Sequence, residues 1–217
     1  MQSIVGGGSA PQPPVPYNRL HTREEEMTVP RLPYVDPQAI TDPEIRHHLE
    51  LAARRGTPRP ESQAVRANVP AVLQTFSAAW EETFYQGVAD HAIKELCRLY
   101  VAASIGCEYC GAQRSPQAAA AGLAEADLPE ILKYKDSDRF TAREKAALTY
   151  TDAIAWDASI ADDELWEELH RHFTPEELVE IGFFIGLTLG QQRWIKTLGL
   201  AHDEVHVDLD AGAIRSG

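Results

Sequence analysis

Residues 90–111 read DHAIKELCRLYVAASIGCEYCG, and the punctuation of this stretch decides the fold. Asp90 is a residue suited to start a helix, and Gly106 is one suited to end it. Between them Ala92, Leu96, Leu99 and Ala103 recur at spacings of three and four, the period of a single buried helical face. Cys107 and Cys110 follow, three positions apart, at the start of the next segment. A helical first turn places both side chains on one face, close enough to bridge.

The same punctuation repeats on either side. Asp42-Pro43 opens a helix that stops at Gly56, and another runs from about Pro70 to Phe84 before Gly87. Ser115-Pro116 reads as a fresh cap inside the segment Cys107 to Ala121, so a break is expected there. A short helix spans Leu128 to Lys133. The capping box Thr141-Ala142-Arg143-Glu144 opens a helix to about Trp156, and Asp163 to Arg171 follows, its start favoured by the acidic run Asp162-Asp163-Glu164. A second box, Thr174-Pro175-Glu176-Glu177, opens the last long helix, which carries Leu178, Ile181, Ile185 and Leu189 and ends near Gly199. Only Val205 to Leu209 alternates like a strand, and it is too short and isolated to build a sheet. The expected class is all-α: a multi-helix bundle with an extended Pro-rich N-terminal arm.

The expected organisation is an arm over residues 1–40, an N-terminal helical segment over 41–68, a helical domain over 69–202 and a tail over 203–217. Gly6-Gly7-Gly8 and prolines at 11, 13, 14, 16, 30, 33 and 37 mark the arm as extended chain without a core of its own. Met27-Thr28-Val29-Pro30 would serve equally as a beginning, which would leave residues 1–26 as an optional extension.

The chain has 217 residues, and its 33 acidic against 20 basic residues give a formal charge of −13. That balance argues against a phosphate-tracking nucleic-acid surface and against an anionic membrane as partner. The first ten residues lack the basic and apolar regions of a secretory signal, and no apolar run approaches a membrane span, so a cytoplasmic location is expected. Three cysteines make an odd number for a disulfide-stapled secreted fold. A close pair in a reducing compartment points instead to catalysis, redox sensing or metal binding, with Cys97 left over as a small core residue.

At a helix start the unsatisfied N–H groups and the macrodipole stabilise a thiolate. One C-x-x-C is also half of a zinc site, but completing it requires His170 with His172, or His202 with His206. Two unreactive buried thiols are the third reading. No cofactor and no metal is expected, and a small substrate suits the charge balance.

Residues 89–122 resemble the active-site segment of the carboxymuconolactone decarboxylase and alkylhydroperoxidase D superfamily. Its pattern places a Glu twelve residues before the first Cys of C-x-x-C, then a His four residues past the second Cys, an Ala and a Gly. Glu95, Cys107, Cys110, Ala118 and Gly122 hold five of those places. The likeness continues through Phe140 to Glu144 and Phe173 to Glu180 up to Gln192-Arg193, covering about residues 69–200. It implies an all-helical bundle that assembles as a homo-oligomer, trimer or hexamer. In the hydroperoxidase branch Cys110 would attack the peroxide oxygen as a thiolate, Cys107 would resolve the sulfenic acid, and Glu95 would join a proton relay. The helix-start argument by itself favours Cys107, so this order of attack comes from the resemblance alone.

Arg114 stands where the family has its relay histidine. Two readings are open: the guanidinium stabilises a nearby thiolate, or it pairs with Glu95 and leaves the cysteines without a relay. His91, one turn before Glu95, could supply the missing titratable group; a solvated histidine at the helix start is the reading we favour. Tyr109 is expected to pack, and Gln191-Gln192-Arg193 to form a buried hydrogen-bond network or subunit contact.

The leading function is therefore a thiol-dependent peroxidase or disulfide oxidoreductase, using a peroxide substrate and a thiol or dithiol reductant. A decarboxylase or lactone-processing enzyme of aromatic-compound catabolism is the alternative, with Arg114 binding a carboxylate substrate. A non-enzymatic oligomeric redox-sensing or binding protein is the third.

Overall fold

The computed structural model describes residues 30–209, and all regular structure among them is helical. Residues 1–29 and 210–217 lie outside the described residues, and with them most of the expected arm, the question of residues 1–26 and the end of the tail.

Nine α-helices occur among the described residues: α1 (Pro43–Arg55), α2 (Pro60–Arg66), α3 (Pro70–Trp80), α4 (His91–Ile105), α5 (Glu108–Gly111), α6 (Pro116–Ala120), α7 (Ala142–Ala155), α8 (Asp163–His172) and α9 (Pro175–Leu198). Their starts are the ones the capping residues dictate. Asp42 accepts from the N–H groups of Glu44 and Ile45, Asp90 from Ala92 and Asp162 from Leu165. Thr141 and Thr174 both form complete capping boxes. Gly56 and Gly106 close α1 and α4 in the left-handed conformation, at φ of 72° and 64°.

Three segments depart from expectation. α3 runs on as a π-helical turn, Glu81–Tyr85. Glu125–Lys133 is a 3-10 segment that starts earlier than expected and accommodates Pro129. α2 lies within the expected helical segment 41–68 but was not expected as a helix of its own.

The bundle is organised around α4, which packs against α7 and α9, while α7 also packs on α8 and α9. One buried face was expected on α4. Instead every residue from Ile93 to Ala102 is buried, while Ala92 and Ala103 of the expected face are only half-buried. Such wrapping is possible because the charges are paired: Lys94 donates to Glu180 at 2.6 Å, and Arg98 to Glu95. On α9 the expected face holds for Leu178, Ile181 and Ile185, with Leu189 half-buried.

The chain ends described by the structure lie against the body. Arg31 N–H donates to Leu198 O and Val35 N–H to Ala64 O. Val205 is buried with Ile45, Leu49 and Leu73. An aromatic cluster of Phe76, Trp80, Phe84 and Phe184 fills the space between α3 and α9, with the Phe84 and Phe184 rings stacked at 5.0 Å. A pair of this kind contributes roughly 0.5–1.5 kcal/mol beyond its area.

Candidate dithiol site

Gly106 turns the chain out of α4, and Cys107 follows at the N-cap of α5, its Sγ accepting from Cys110 N–H at 3.3 Å. The two sulfurs form a disulfide with the Cα atoms 5.3 Å apart. α5 is a single turn, and the chain breaks at Ser115-Pro116 into α6, whose first turn Ser115 caps. One turn carries little macrodipole, so the thiolate argument made for a long helix reduces here to the one local N–H group.

Both cysteines are buried, yet they line different spaces. Cys107 lines an open cleft of about 320 Å³ with Gly106, Glu108, Arg114, Leu128 and Ile131. Cys110 lines an inner cavity of about 20 Å³.

Glu95 is fully buried beneath this turn. Arg98 grips it with two donors, Nε at 2.6 Å and NH2 at 2.8 Å, and Ser115 N–H donates a third hydrogen bond at 3.0 Å. Arg98 also donates to the carbonyls of Cys110 at 2.9 Å and Gln113 at 2.8 Å. Its own carbonyl accepts from Gln192 at 3.0 Å, which places Gln192 in a buried network. α4 is thereby fastened to the backbone that carries the dithiol.

Arg114 is not the partner of Glu95. Its side chain, 40% exposed, pairs with Glu125 and donates to the Gly111 and Gln113 carbonyls. The physical reason is Arg98, which lies three residues from Glu95 on the same helix and already donates to both carboxylate oxygens.

His91 is buried rather than solvated at the helix start. Nδ1–H donates to Phe84 O at 2.6 Å, and Nε2 is hydrogen-bonded to the Ser115 hydroxyl at 2.7 Å, which is the donor when the ring is neutral. Burial against Phe84 and Tyr85 lowers its pKa. Both ring nitrogens are engaged, so neither is left for a sulfur. His91 and Glu95 meet instead on Ser115, one at its hydroxyl and the other at its N–H.

Tyr109 packs, as expected, in a ring stack with His202 at 4.4 Å. Its hydroxyl donates to Glu61 at 2.9 Å, and burial together with that carboxylate pushes the phenol pKa up. Glu61 belongs to α2, all seven residues of which are buried. The sequence signal for α2 is slight: Pro60 at a helix first position with Glu61 beside it. Cys97 lies in the core, where burial raises its thiol pKa to about 12. Among the described residues no three His, Cys, Asp or Glu side chains converge to hold a metal ion.

Residues 70–153 match the family model of the carboxymuconolactone decarboxylase family. Over that segment, less than half of its length, the chain is similar to this family. Two uncharacterized proteins of Mycobacterium tuberculosis, MT2376 and Rv2313c, are each 34% identical to this chain over 96 residues. The match spans 44% of this chain and 34% of each relative, so the chain matches about a third of the length of these curated relatives. Solved structures share the fold. The alkylhydroperoxidase AhpD core from Ralstonia eutropha JMP134, an uncharacterized peroxidase-related protein, is 19% identical, with a TM-score of 0.65 over 79% of this chain and 91% of its own. The debrominase Bmp8 is 18% identical, with a TM-score of 0.62 over 74% of this chain and 87% of its own.

Proposed function

We propose that this chain is a member of the carboxymuconolactone decarboxylase and alkylhydroperoxidase D-like superfamily, a thiol-dependent peroxidase and disulfide oxidoreductase that cycles Cys107 and Cys110 between dithiol and disulfide. The observation that carries the reading is the Cys107–Cys110 bond within one turn, its two cysteines lining separate spaces. Cys110 attacks the terminal oxygen of a hydroperoxide, and Cys107 condenses with the sulfenic acid. A thiol or dithiol reductant then exchanges with the disulfide at Cys107, the sulfur on the open cleft. Glu95 takes the role of a positioning residue in this scheme, because Arg98 and Ser115 occupy both of its oxygens. Assembly as a homo-oligomer and a cytoplasmic location belong to the same proposal.

The decarboxylase or lactone-processing alternative drew its support from a guanidinium at position 114 free to bind a carboxylate. Arg114 lines the cleft, but its donors are directed to Glu125 and two carbonyls. The redox-sensing alternative needs a disulfide without turnover.

Steady-state peroxide consumption with a dithiol reductant tests the proposal. Cys107→Ser and Cys110→Ser should each abolish sustained turnover. Unchanged turnover in both variants would remove it.

A further inference from the structure

The inner cavity beside Cys110 carries a chemical signature of its own. Of the buried side-chain atoms without a hydrogen-bond partner among the described residues, three belong to residues that line it: Arg66 Nε, Trp80 Nε1 and Gln192 Oε1. Arg66 is 2% exposed. Its terminal nitrogens donate to Ser62 O at 3.1 Å, Gln63 at 3.0 Å and Gln191 at 2.9 Å, and its guanidinium lies 3.6 Å from the Phe76 ring centroid. None of these partners is anionic, and among the described residues no carboxylate lies within ion-pair distance of it.

A buried cation without a counter-ion is costly, and burial weakens its hold on its proton. Two further ionisable groups line the same cavity: Arg98, which Glu95 already neutralises, and Cys110, which is neutral while bridged and can ionise once it is released. The residues around this space carry two unpartnered donors and one unpartnered acceptor, and its volume of about 20 Å³ admits one water-sized oxygen.

We propose that Arg66 is the counter-ion of the Cys110 thiolate, and that Trp80 and Gln192 seat the peroxidic oxygen of a small organic hydroperoxide against that sulfur. The proposal rests on the peroxidase reading for its substrate but not for the ion pair. The thiolate sulfur bonds to the terminal oxygen and the O–O bond breaks, giving sulfenic acid and an alkoxide, which takes up the proton Cys110 lost on ionising. Cys107 thiol then displaces water from the sulfenic acid to form the disulfide. Sulfur is oxidised and the peroxide is reduced to an alcohol and water; an external dithiol restores both thiols.

The substrate's organic part also has a place. A larger cleft of about 490 Å³ lies between α1 and α3, and Pro58 and Trp80 line both it and the inner cavity. Trp80, Tyr85 and Leu51 give it an apolar wall, so an alkyl or aryl tail would lie there while the oxygen reaches past Trp80. Substrate then approaches Cys110 from one side and reductant approaches Cys107 from the other.

The test uses the full-length Cys107→Ser protein, in which Cys110 is the reactive thiol, since Cys97 is held protonated to about pH 12. The pH dependence of iodoacetamide alkylation gives the Cys110 pKa with no peroxide present. Arg66→Met should raise that pKa by about one pH unit or more, and Arg66→Lys should recover part of the shift. Trp80→Phe, which keeps the ring but not the N–H, should leave the pKa in place and slow oxidation by cumene hydroperoxide about tenfold in the protein that retains Cys107. Should Arg66→Met fail to fold, Arg66→Lys and Trp80→Phe carry the test. Alkylation profiles in the Arg66 variants that match the parent overturn the ion pair; oxidation unaffected by Trp80→Phe overturns the oxygen seat. An Arg66-dependent pKa in a protein that consumes no peroxide would sustain the ion pair and refute the peroxidase reading instead.

Discussion

Glu95 and Arg98, three residues apart on α4, form a fully buried two-pronged ion pair whose remaining donors hold the carbonyls of Cys110 and Gln113. Removing one partner leaves an uncompensated buried charge. Arg98→Ala should therefore destabilise the protein by about 3–5 kcal/mol in urea unfolding. The double replacement Glu95→Leu with Arg98→Met should cost less than Arg98→Ala. A single-variant loss below about 1 kcal/mol would show that the pair does not anchor the dithiol turn.

Arg114 gives the contrasting case. Its pair with Glu125 is 40% and 67% exposed, and exposed pairs contribute about 0–1 kcal/mol. Arg114→Ala should lower the unfolding midpoint only slightly. A loss comparable to that of Arg98→Ala would mean that its carbonyl contacts fasten the loop.

His91 should make stability fall on mild acidification. Its folded pKa lies below the unfolded value of about 6.5, so the unfolded chain takes up the proton first. The stability from keeping this ring neutral is complete above about pH 6.5 and declines as pH falls toward the folded pKa. His48 and His202 are lowered in the same direction by burial. His91→Asn, which keeps a donor for Phe84 O, should reduce the slope of unfolding free energy against pH between about 6.5 and 5. An unaltered slope would contradict the buried neutral ring.

Gly87 is required by a close approach. A Cβ there would collide with the Glu180 carboxylate, which Lys94 and the N–H groups of Val88 and Ala89 hold in place. Gly87→Ala should cost roughly 1–3 kcal/mol in thermal or urea unfolding. A neutral substitution would show that Glu180 is free to move.

The residues that start and stop helices were legible because their chemistry is local. Asp90, Thr141 and Thr174 satisfy N–H groups two or three residues away, and that requirement is visible without any tertiary structure. The C-x-x-C pair and Glu95 were legible as well, through spacing and resemblance. Arg98 was not: charges three residues apart ordinarily mark a solvated helix face, and only the wrapping of α4 turns this pair into a buried clamp. α2 escaped because its seven residues, rich in polar side chains, show no apolar period; its burial depends on partners as distant as Tyr109 and Gln191. The same holds for His91, whose surroundings come from the π-helical turn and from the Ser115 loop.

The central claim is a disulfide that forms at the expense of peroxide, and a stoichiometric titration tests it most directly. Fully reduced protein is mixed with increasing cumene hydroperoxide, and free thiols are counted alongside peptide mapping of the bridge. The account predicts that two thiols vanish per peroxide consumed, that the bridge joins Cys107 to Cys110, and that Cys97 stays reduced. Peroxide that persists beside three intact thiols would contradict it.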